Sequence, residues 1–331
     1  MVCLWCCISG TSAAGELSQK VRDQIQGVLA KDEITVLITD SGLGGLSVAG
    51  DLEVKAAKAG LFKHLSIVFC NALPDAQHGY NNFETDEKKA QVFSEALKGM
   101  VVAYHPDIIL IACNTLSVVY PATEFSKVTN IPVVGIVDLG VRMIAADMVQ
   151  DSTVRTVLFG TETTIGSNAH AKLLAAGGIG EERIVTEACI DLAGEIQSDA
   201  SSDAVKSMIE MYVQDAVEKL PKDSTQPLLA GLCCTHYGYC STQFLDAFRA
   251  AGRANVRIVN PNEQMADIIV PSVGGRRVSS TPVSVVVASR AVISSDEIRS
   301  LSGLLQRSYP LTTAALLEYH HNINLFRFGQ E

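Results

Sequence analysis

The chain has 331 residues, enough for two domains of ordinary size, and its composition of 47% hydrophobic and 19% charged residues is typical of a well-buried globular protein. A formal net charge of −10 and the lack of a basic run provide no electrostatic basis for binding nucleic acid or an anionic membrane. No apolar run reaches the ~18 residues of a transmembrane helix. The nine cysteines are an odd number scattered through apolar stretches, which favours a reducing compartment over a disulfide framework. We therefore expect a cytoplasmic protein whose partner is a small molecule.

The chain begins with an apolar segment, residues 1–10, that lacks the positive charges of a signal peptide. An N-terminal extension is the preferred interpretation, and a weak signal peptide is the alternative. Residues 16–30 then show the apolar spacing of a helix. Beyond them, aliphatic runs typical of buried parallel strands occur at 34–39, 65–70, 108–112, 131–137, 155–160, 183–187, 227–232, 255–259 and 283–288. Helices are predicted between and after these strands at 84–104, 115–128, 139–149, 163–177, 203–219, 261–272 and 295–307.

Alternating strands and helices predict an α/β fold with parallel sheets. We expect two similar parallel-sheet α/β domains with the active site in the cleft between them. The predicted division is an N-terminal extension and helix at 1–33, domain 1 at 34–133 plus 241–308, domain 2 at 134–240, and a C-terminal extension at 309–331. That last stretch is predicted to pack as a terminal helix.

Unusual polar residues follow several of the predicted strands, where working residues of parallel sheets gather. The segments are Asp40-Ser41-Gly42-Leu43-Gly44-Gly45, Cys113-Asn114-Thr115, Gly160-Thr161 and Cys233-Cys234-Thr235-His236. The second and the fourth resemble each other, and they are separated by about one domain length. The pattern suggests that each of two similar halves offers one thiol to a shared site.

Two facing thiols suit the inversion of an amino acid. Inverting Cα requires a base on one face and an acid on the other, and a free cysteine is a few per cent thiolate at neutral pH. Cys113 and Cys234 each stand where a strand leads into a helix, whose positive end favours thiolate. His236 is expected to supply a proton to Cys234 or to tune it. Asp40 is expected to hold the substrate ammonium or to assist Cys113.

These residues allow four other interpretations. Cys233 competes with Cys234, which is favoured because it directly precedes Thr235-His236. Cys233, Cys234, His236 and Cys240 are soft ligands, but their irregular spacing argues against a metal site, so no metal is expected. The glycine-rich segment 41–45 lacks the phosphate-binding patterns and is interpreted as a close approach of backbone to substrate. Hydrolase or lyase chemistry with a single nucleophile, Cys234, and His236 is a further alternative.

Five segments together resemble the signature segments of glutamate racemases in the aspartate/glutamate racemase superfamily. They are VLITDSGLGGLSV, IACNTLSVVYPA, PVVGIVDLGVR, LFGTETTIGSNAH and LCCTHYGYCSTQF, and the resemblance extends over about residues 34–305. The resemblance implies two α/β domains and interconversion of L- and D-glutamate, a peptidoglycan precursor, by a two-base mechanism without pyridoxal phosphate or another cofactor. It also implies a homodimer.

The resemblance further implies roles for single residues. Cys113 and Cys234 match the two catalytic thiols, with Asp40 beside the first and His236 beside the second. The remaining matches are to substrate-binding positions: Asn114, Thr115 and Thr235 for the α-carboxylate, Ser41 near the amino group, and Thr161 and Gly79 for the side-chain carboxylate.

Several positions depart from the family pattern. Gln77-His78-Gly79-Tyr80 stands where Pro-Tyr-Gly is usual, Thr163 replaces a glycine, and Gly238 replaces a proline. The expected acidic residue after Cys189 is Gln197, with Glu195 two positions away. The catalytic pair is intact while the specificity shell is altered. Racemisation of another amino acid such as aspartate, or a non-catalytic ligand-binding role, is therefore the alternative to glutamate racemisation.

Overall fold

The computed structural model describes residues 17–222, 225–271 and 275–329. It divides the chain into two compact units, the first built from residues 17–136 and the chain from 262 onward, and the second from residues 137–261. Each unit is an α/β structure around one parallel sheet, so the predicted fold class is confirmed. The apolar segment 1–10 lies outside the described residues. Among the residues described, no helix is long and apolar enough to span a membrane.

Ten strands are present in the described part of the chain, and each pairs with its neighbours in parallel. They are β1 (Glu33–Asp40), β2 (His64–Asn71), β3 (Ile108–Ile111), β4 (Val133–Gly135), β5 (Arg155–Gly160), β6 (Ile184–Ala188), β7 (Leu228–Cys233), β8 (Val256–Val259), β9 (Val283–Ser289) and β10 (His320–His321). Unit 1 has the order β10-β9-β2-β1-β3-β4, and unit 2 has the order β6-β5-β7-β8.

The α-helices of the described residues connect and cover these strands. They are α1 (Gln19–Leu29), α2 (Leu46–Ala59), α3 (Asp86–Tyr104), α4 (Asn114–Val119), α5 (Glu124–Val128), α6 (Ile136–Gln150), α7 (Glu162–Gly166), α8 (Ala169–Ala176), α9 (Leu192–Asp199), α10 (Asp203–Glu218), α11 (Ser241–Ala250), α12 (Asn262–Met265), α13 (Ser295–Leu305) and α14 (Pro310–Leu317). The central strands are buried on both faces, which explains their continuous aliphatic runs; all four residues of β3 and all six of β7 are buried.

The two units repeat one strand order. The first four strands of unit 1 lie in the order β2-β1-β3-β4, and the four strands of unit 2 lie in the equivalent order β6-β5-β7-β8. In both orders, the first and third strands of the unit lie side by side, with the second and fourth strands on either side of them. The carboxyl ends of these central strands carry Asp40 and Cys113 in unit 1, and Thr161 and Cys234 in unit 2. The similarity of the two halves, faint in sequence, is explicit in their topology.

The unit boundary differs from the predicted division in residues 241–261. This stretch was assigned to domain 1, but β8 pairs with β7, and Phe244 and Phe248 of α11 are buried beside Phe159 of β5. These residues therefore complete the sheet and core of unit 2. Helix α11, which was not predicted, supplies the aromatic side chains of that contact.

The predicted strand 131–137 and the predicted helix 115–128 are both interrupted by local chemistry. The predicted strand 131–137 is only β4, because α6 begins at Ile136. The predicted helix 115–128 is two short helices: a 3-10 turn over Tyr120–Ala122 contains Pro121, and the Thr123 hydroxyl then caps α5 by accepting the Ser126 N–H. The break leaves α4 as a short helix directly behind Cys113.

The chain beyond residue 309 is part of unit 1. The buried Glu53 carboxylate accepts the backbone N–H groups of Leu311 and Thr312 at 2.9 and 2.8 Å, which fixes the first turn of α14. Tyr309 packs on Gly50 so closely that a Cβ at residue 50 would lie 2.3 Å from the tyrosine ring. After α14, β10 extends the sheet beside β9.

Candidate active site

Cys113 lies at the start of α4, two residues after β3 ends at Ile111. Its side chain occupies the N-cap position and accepts the Leu116 N–H at 3.4 Å. The Ser41 hydroxyl, at the end of the adjacent β1, lies 3.1 Å from the Cys113 sulfur. Pairing of β1 with β3 therefore brings together two predicted site residues that are 72 positions apart in sequence.

Asp40, the last residue of β1, is fully buried, and both its carboxylate oxygens accept backbone N–H groups. Oδ1 accepts from Ser41 at 2.7 Å and Oδ2 from Gly45 at 2.6 Å. A Cβ at Gly45 would stand 3.0 Å from Oδ2 and from the Ala112 methyl group. Glycine at 45 thus permits a carboxylate to organise the turn between β1 and α2, a role that the sequence interpretation of the glycine-rich segment did not include.

The surroundings of Cys113 favour the neutral thiol. Burial first, and then the negative charge of Asp40, raise the pKa of Cys113 to about 12, against smaller opposing effects of the Ser41 hydroxyl and the backbone N–H groups of Leu116 and Ser41. The thiol shares its buried cluster with Tyr80. Burial and the nearby Cys113 raise the pKa of the Tyr80 phenol well above its usual value, so this hydroxyl remains protonated.

Cys234 follows β7 directly and is 6% exposed. Its sulfur lies 3.8 Å from Nδ1 of His236, in the 3-10 turn Thr235–Cys240 that follows the strand. The other ring nitrogen, Nε2, lies 2.8 Å from Oε1 of Gln197 on α9. The structure therefore forms a chain of three polar side chains, Cys234–His236–Gln197, within unit 2.

The Gln197 contact determines which tautomer His236 adopts when its ring is neutral. With Oε1 assigned to face the ring, Nε2 carries the proton and donates to the amide oxygen. Nδ1 then presents a lone pair toward the Cys234 sulfur. A ring in this state can take the proton of the thiol, and a neutral amide supports it without adding charge.

Five of the other predicted binding residues are buried or half-buried, and four of them lie in turns that follow a strand. Asn114, Thr115 and Thr235 are at most 3% exposed in the first turns after β3 and β7. Thr161 caps α7: its hydroxyl accepts the Thr164 N–H at 3.4 Å. Gly79 is half-buried, and a Cβ there would find only the Asn82 amide nitrogen, at 4.0 Å. Open space at Gly79 is compatible with a ligand-facing position, which stays a prediction.

The departures from the family pattern have separate structural settings. Gln197 contacts His236. Gly238 is approached by Asn260, whose Nδ2 would lie 2.8 Å from a Cβ at residue 238, so no side chain fits there unless Asn260 moves. Gln77 and His78 are exposed, while Tyr80 is buried and donates its hydroxyl to the Ala72 carbonyl at 3.2 Å.

The thiol of Cys233 points to a different environment from that of Cys234. It is 2% exposed and donates within its own strand to the Gly231 carbonyl at 3.7 Å. Burial raises its pKa to about 12. The geometry therefore favours Cys234 as the thiol with a proton partner. Across residues 17–222, 225–271 and 275–329, no group of three or more histidine, cysteine or carboxylate side chains is arranged to hold a metal ion.

Sequence reasoning missed two contacts of this site. Tyr80 was noted only as part of an altered segment, and no periodicity indicates that it reaches the cluster around Cys113. Gln197 was noted as a departure in the specificity shell, but its partner is His236, 39 residues away. The one signal in the sequence was that Gln197 stands where an acidic residue is expected, which singled out this position without indicating its partner.

Comparison with known proteins places the chain among amino-acid racemases. A profile of the Asp/Glu/Hydantoin racemase family matches residues 51–220, a span that includes Cys113 and Thr161. The glutamate racemase of Syntrophus aciditrophicus is 27% identical over 230 residues, which are 70% of this chain and 76% of that protein.

Solved structures show the same fold. A glutamate racemase isoform from Bacillus anthracis superposes with a TM-score of 0.62 at 19% identity, covering 87% of this chain and 96% of that one. The Francisella tularensis glutamate racemase, solved in complex with D-glutamate, gives 0.60 at 18% identity over 83% and 94% of the two chains. Because the family profile matches more than half of the chain, this protein belongs to the Asp/Glu/Hydantoin racemase family.

Proposed function

We propose that the protein interconverts L- and D-glutamate without a cofactor, with Cys113 and Cys234 as the two acid–base groups. One observation carries the proposal: the two thiols follow equivalent strands, β3 and β7, of a strand order that both units repeat. Each thiol has polar neighbours of its own, Ser41 and Asp40 for the first and His236 for the second.

Racemisation is a proton exchange at Cα. A thiolate removes the Cα proton and becomes a thiol, and the electron pair left on carbon is delocalised into the α-carboxylate. The other thiol then gives its proton to the opposite face and becomes the thiolate. The reverse reaction exchanges the two roles, so one resting enzyme form suits each enantiomer. No atom is lost or gained, and no oxidant or reductant is needed.

Cys113 rests as a proton donor, because burial and Asp40 hold its pKa near 12. An ammonium group of the substrate beside Asp40 would oppose the carboxylate charge and lower the thiol pKa, which favours thiolate formation on substrate binding. Ser41, 3.1 Å from the sulfur, is placed to stabilise that thiolate by donating its hydroxyl hydrogen. We assign Asp40 and Ser41 to this activation of Cys113.

Cys234 has a different route to its thiolate. His236 Nδ1 is close enough to accept the thiol proton, and the resulting imidazolium would stabilise the thiolate electrostatically. We therefore assign His236 as the acid–base partner of Cys234. Gln197 is a positioning residue that holds the ring through Nε2.

The substrate carboxylates need donors rather than further bases. Asn114, Thr115 and Thr235, in the turns behind the two thiols, offer hydroxyl, amide and backbone N–H groups for the α-carboxylate. Thr161 and the open backbone at Gly79 are proposed for the side-chain carboxylate. Support for glutamate comes from the relatives, which are glutamate racemases.

A circular dichroism assay tests the function directly. Purified protein is incubated with the L and the D enantiomers of glutamate, aspartate and alanine in separate reactions. We expect the signal of both glutamate enantiomers to decay to zero, with aspartate slower and alanine unchanged. Decay with aspartate alone would overturn the substrate, and no decay with any of them would overturn the racemase function.

We also infer a cytoplasmic homodimer. The six cysteines that the described residues contain are free thiols, which favours a reducing compartment. The dimer rests on the resemblance to the family alone. Sedimentation equilibrium of the full chain tests it: a particle of about twice the 35.3 kDa chain mass supports the dimer, and a monomer at micromolar concentration contradicts it.

A further inference from the structure

The end of the chain forms a strap across unit 1. We define the C-terminal strap as residues 319–329. It begins with β10, continues with the Asn322 N–H donating to the Ser289 carbonyl at 2.9 Å, and buries Leu325 and Phe326. Its backbone lies on α3 at Gly99, where a Cβ would stand 2.0 Å from the Leu325 carbonyl oxygen. The strap can therefore take this position only because residue 99 is a glycine and has no side chain.

Arg290, just after β9, ties this strap to the chain around residue 74. Its Nε and one terminal nitrogen donate to the carbonyls of Phe326 and Phe328 at 3.1 and 3.4 Å, and its other terminal nitrogen donates to the Pro74 carbonyl. The guanidinium carbon also lies 5.6 Å from the ring centres of both phenylalanines. The planar guanidinium group of Arg290 therefore binds the strap and the chain around residue 74 at the same time.

Pro74 belongs to the 72–83 loop, and aromatic contacts join the rest of this loop to the strap. The ring of Phe328 lies 5.4 Å from that of His78 and 6.0 Å from that of Phe83. Phe83 in turn meets Tyr80 edge to face at 5.8 Å. Asp75 closes the loop locally by accepting from the N–H groups of Gln77 and His78.

Tyr80 connects the loop to the buried cluster that contains Cys113. It is 2% exposed, lies in the same buried cluster as the thiol, and bonds back to Ala72 at the start of the loop. The Ala72 N–H in turn donates to the carbonyl of Asp40 at 2.7 Å. The series of contacts therefore runs from the strap through Arg290 and the aromatic rings to the residues around the first thiol.

We infer that the C-terminal strap is a positioning device for the first thiol: Arg290 and Phe328 hold the 72–83 loop in place, and the loop keeps Tyr80 in the buried cluster that contains Cys113. The inference rests on the proposed function only in giving Cys113 a catalytic role. Arg290 is a positioning residue, since it acts through the loop and not on substrate. Loss of the strap would admit water to the cluster and weaken the burial that holds the thiol neutral.

The test compares Arg290→Ala and Phe328→Ala with wild type and with the control Arg299→Ala. Arg299 lies on α13 with 76% of its side chain exposed. Two readouts are taken from each protein: hydrogen–deuterium exchange of peptides from 72–83, and the pH dependence of Cys113 alkylation by iodoacetamide, resolved by peptide mass. Glutamate racemisation is assayed in parallel, and thermal unfolding identifies any variant that fails to fold.

We expect exchange in 72–83 to become about tenfold faster in both variants, because each removes contacts that close the loop. The midpoint of Cys113 alkylation is expected to fall by about 1 pH unit, a part of what full burial can produce. Arg299→Ala should match wild type. Wild-type exchange and alkylation in a folded Arg290→Ala or Phe328→Ala protein would overturn the inference. If Arg290→Ala does not fold, Phe328→Ala decides.

Failure of the proposed function gives a different pattern. In that case wild type does not racemise glutamate, while the exchange and alkylation readouts still report whether the strap controls the surroundings of Cys113. If wild type racemises glutamate and the variants keep wild-type loop exchange and alkylation, the function stands and the strap inference fails.

Discussion

The two thiol sites occupy equivalent places in repeated topologies, yet their neighbours are chemically opposite. The Cys113 sulfur lies beside the Ser41 hydroxyl, and the buried Asp40 carboxylate raises its pKa. The Cys234 sulfur lies beside the His236 imidazole, which contacts the Gln197 amide. A fixed negative charge disfavours the thiolate at the first site. A ring that can accept a proton favours it at the second.

The difference indicates that the repeated strand order sets where each thiol lies, whereas the neighbouring side chains set how readily each thiol loses its proton. A two-base racemase needs one thiol and one thiolate at any moment, so an unequal pair is suited to the task. The predictions that follow change one site at a time.

Removing either thiol is expected to give the largest effect. Cys113→Ser and Cys234→Ser should each lower glutamate racemisation by about 10²–10⁴-fold, the contribution typical of an acid–base group. Each variant should still exchange the Cα hydrogen of one enantiomer with deuterated solvent, and the two should differ in which enantiomer they exchange. The controls Cys70→Ala and Cys240→Ala, buried thiols in units 1 and 2, should retain activity. Loss of exchange for the same enantiomer in both serine variants would contradict separate faces.

Asp40→Asn tests the fixed charge at the first site. An asparagine can accept only one of the two backbone N–H groups, so we expect a loss of about 1.5–3 kcal/mol in the free energy of unfolding by urea. Thiolate is the alkylated species, and its fraction rises about tenfold per pH unit below the thiol pKa. Because Asp40 raises the pKa of Cys113, its removal should lower the midpoint of alkylation below about 12. Asp32→Asn, at an exposed ion pair, is the control; a higher midpoint in Asp40→Asn would contradict the electrostatic effect.

Gln197→Glu tests the effect of the neutral Gln197 amide on the His236 ring beside Cys234. A carboxylate against Nε2 would favour the protonated imidazole, which in turn stabilises the Cys234 thiolate. We expect alkylation of Cys234 at pH 7 to become about three- to tenfold faster, with Cys113 unchanged. Glu195→Gln on the same helix, at an exposed side chain, should leave both rates as in wild type. An equal change at both thiols would show that the two sites are not separate in this respect.

Tyr80→Phe is expected to give the smallest effect. It removes the hydroxyl that donates to the Ala72 carbonyl while keeping the ring beside Phe83 and Phe93. The free energy of unfolding should fall by about 0.5–1.5 kcal/mol in urea titration. Tyr104→Phe, a half-buried tyrosine on α3, is the matched control and should change stability by less than about 0.5 kcal/mol. A larger loss in the control would mean that the Tyr80 hydroxyl has no special role.

Strand positions were predictable because buried parallel strands carry uninterrupted aliphatic runs; β5 matches its prediction at both ends. The same rule misled at 131–137, where an apolar run continues from β4 into the buried face of α6. The predicted boundary between the two units was wrong for a related reason. Only the pairing of β8 with β7 shows which sheet the chain joins after residue 241, and pairing is a long-range property.

The site was predictable where chemistry is local in sequence. Cys234 and His236 are two residues apart, and their contact follows from one turn. Contacts of Ser41 with Cys113 and of Gln197 with His236 depend on strand order and on the placement of α9, which periodicity does not specify. The strap could not be foreseen at all, because the segment 319–329 shows no pattern that pairs it with Arg290 or residue 74.

The two-base claim is tested most directly by one isotope measurement. L-glutamate is incubated with wild-type protein in deuterated water, and both enantiomers are separated and weighed by mass spectrometry before a tenth of the substrate has reacted. Two thiols in equilibrium with solvent predict that every D-glutamate molecule carries one deuterium at Cα and that the remaining L-glutamate is unlabelled. D-glutamate that keeps its original hydrogen, or the absence of D-glutamate, would contradict the claim.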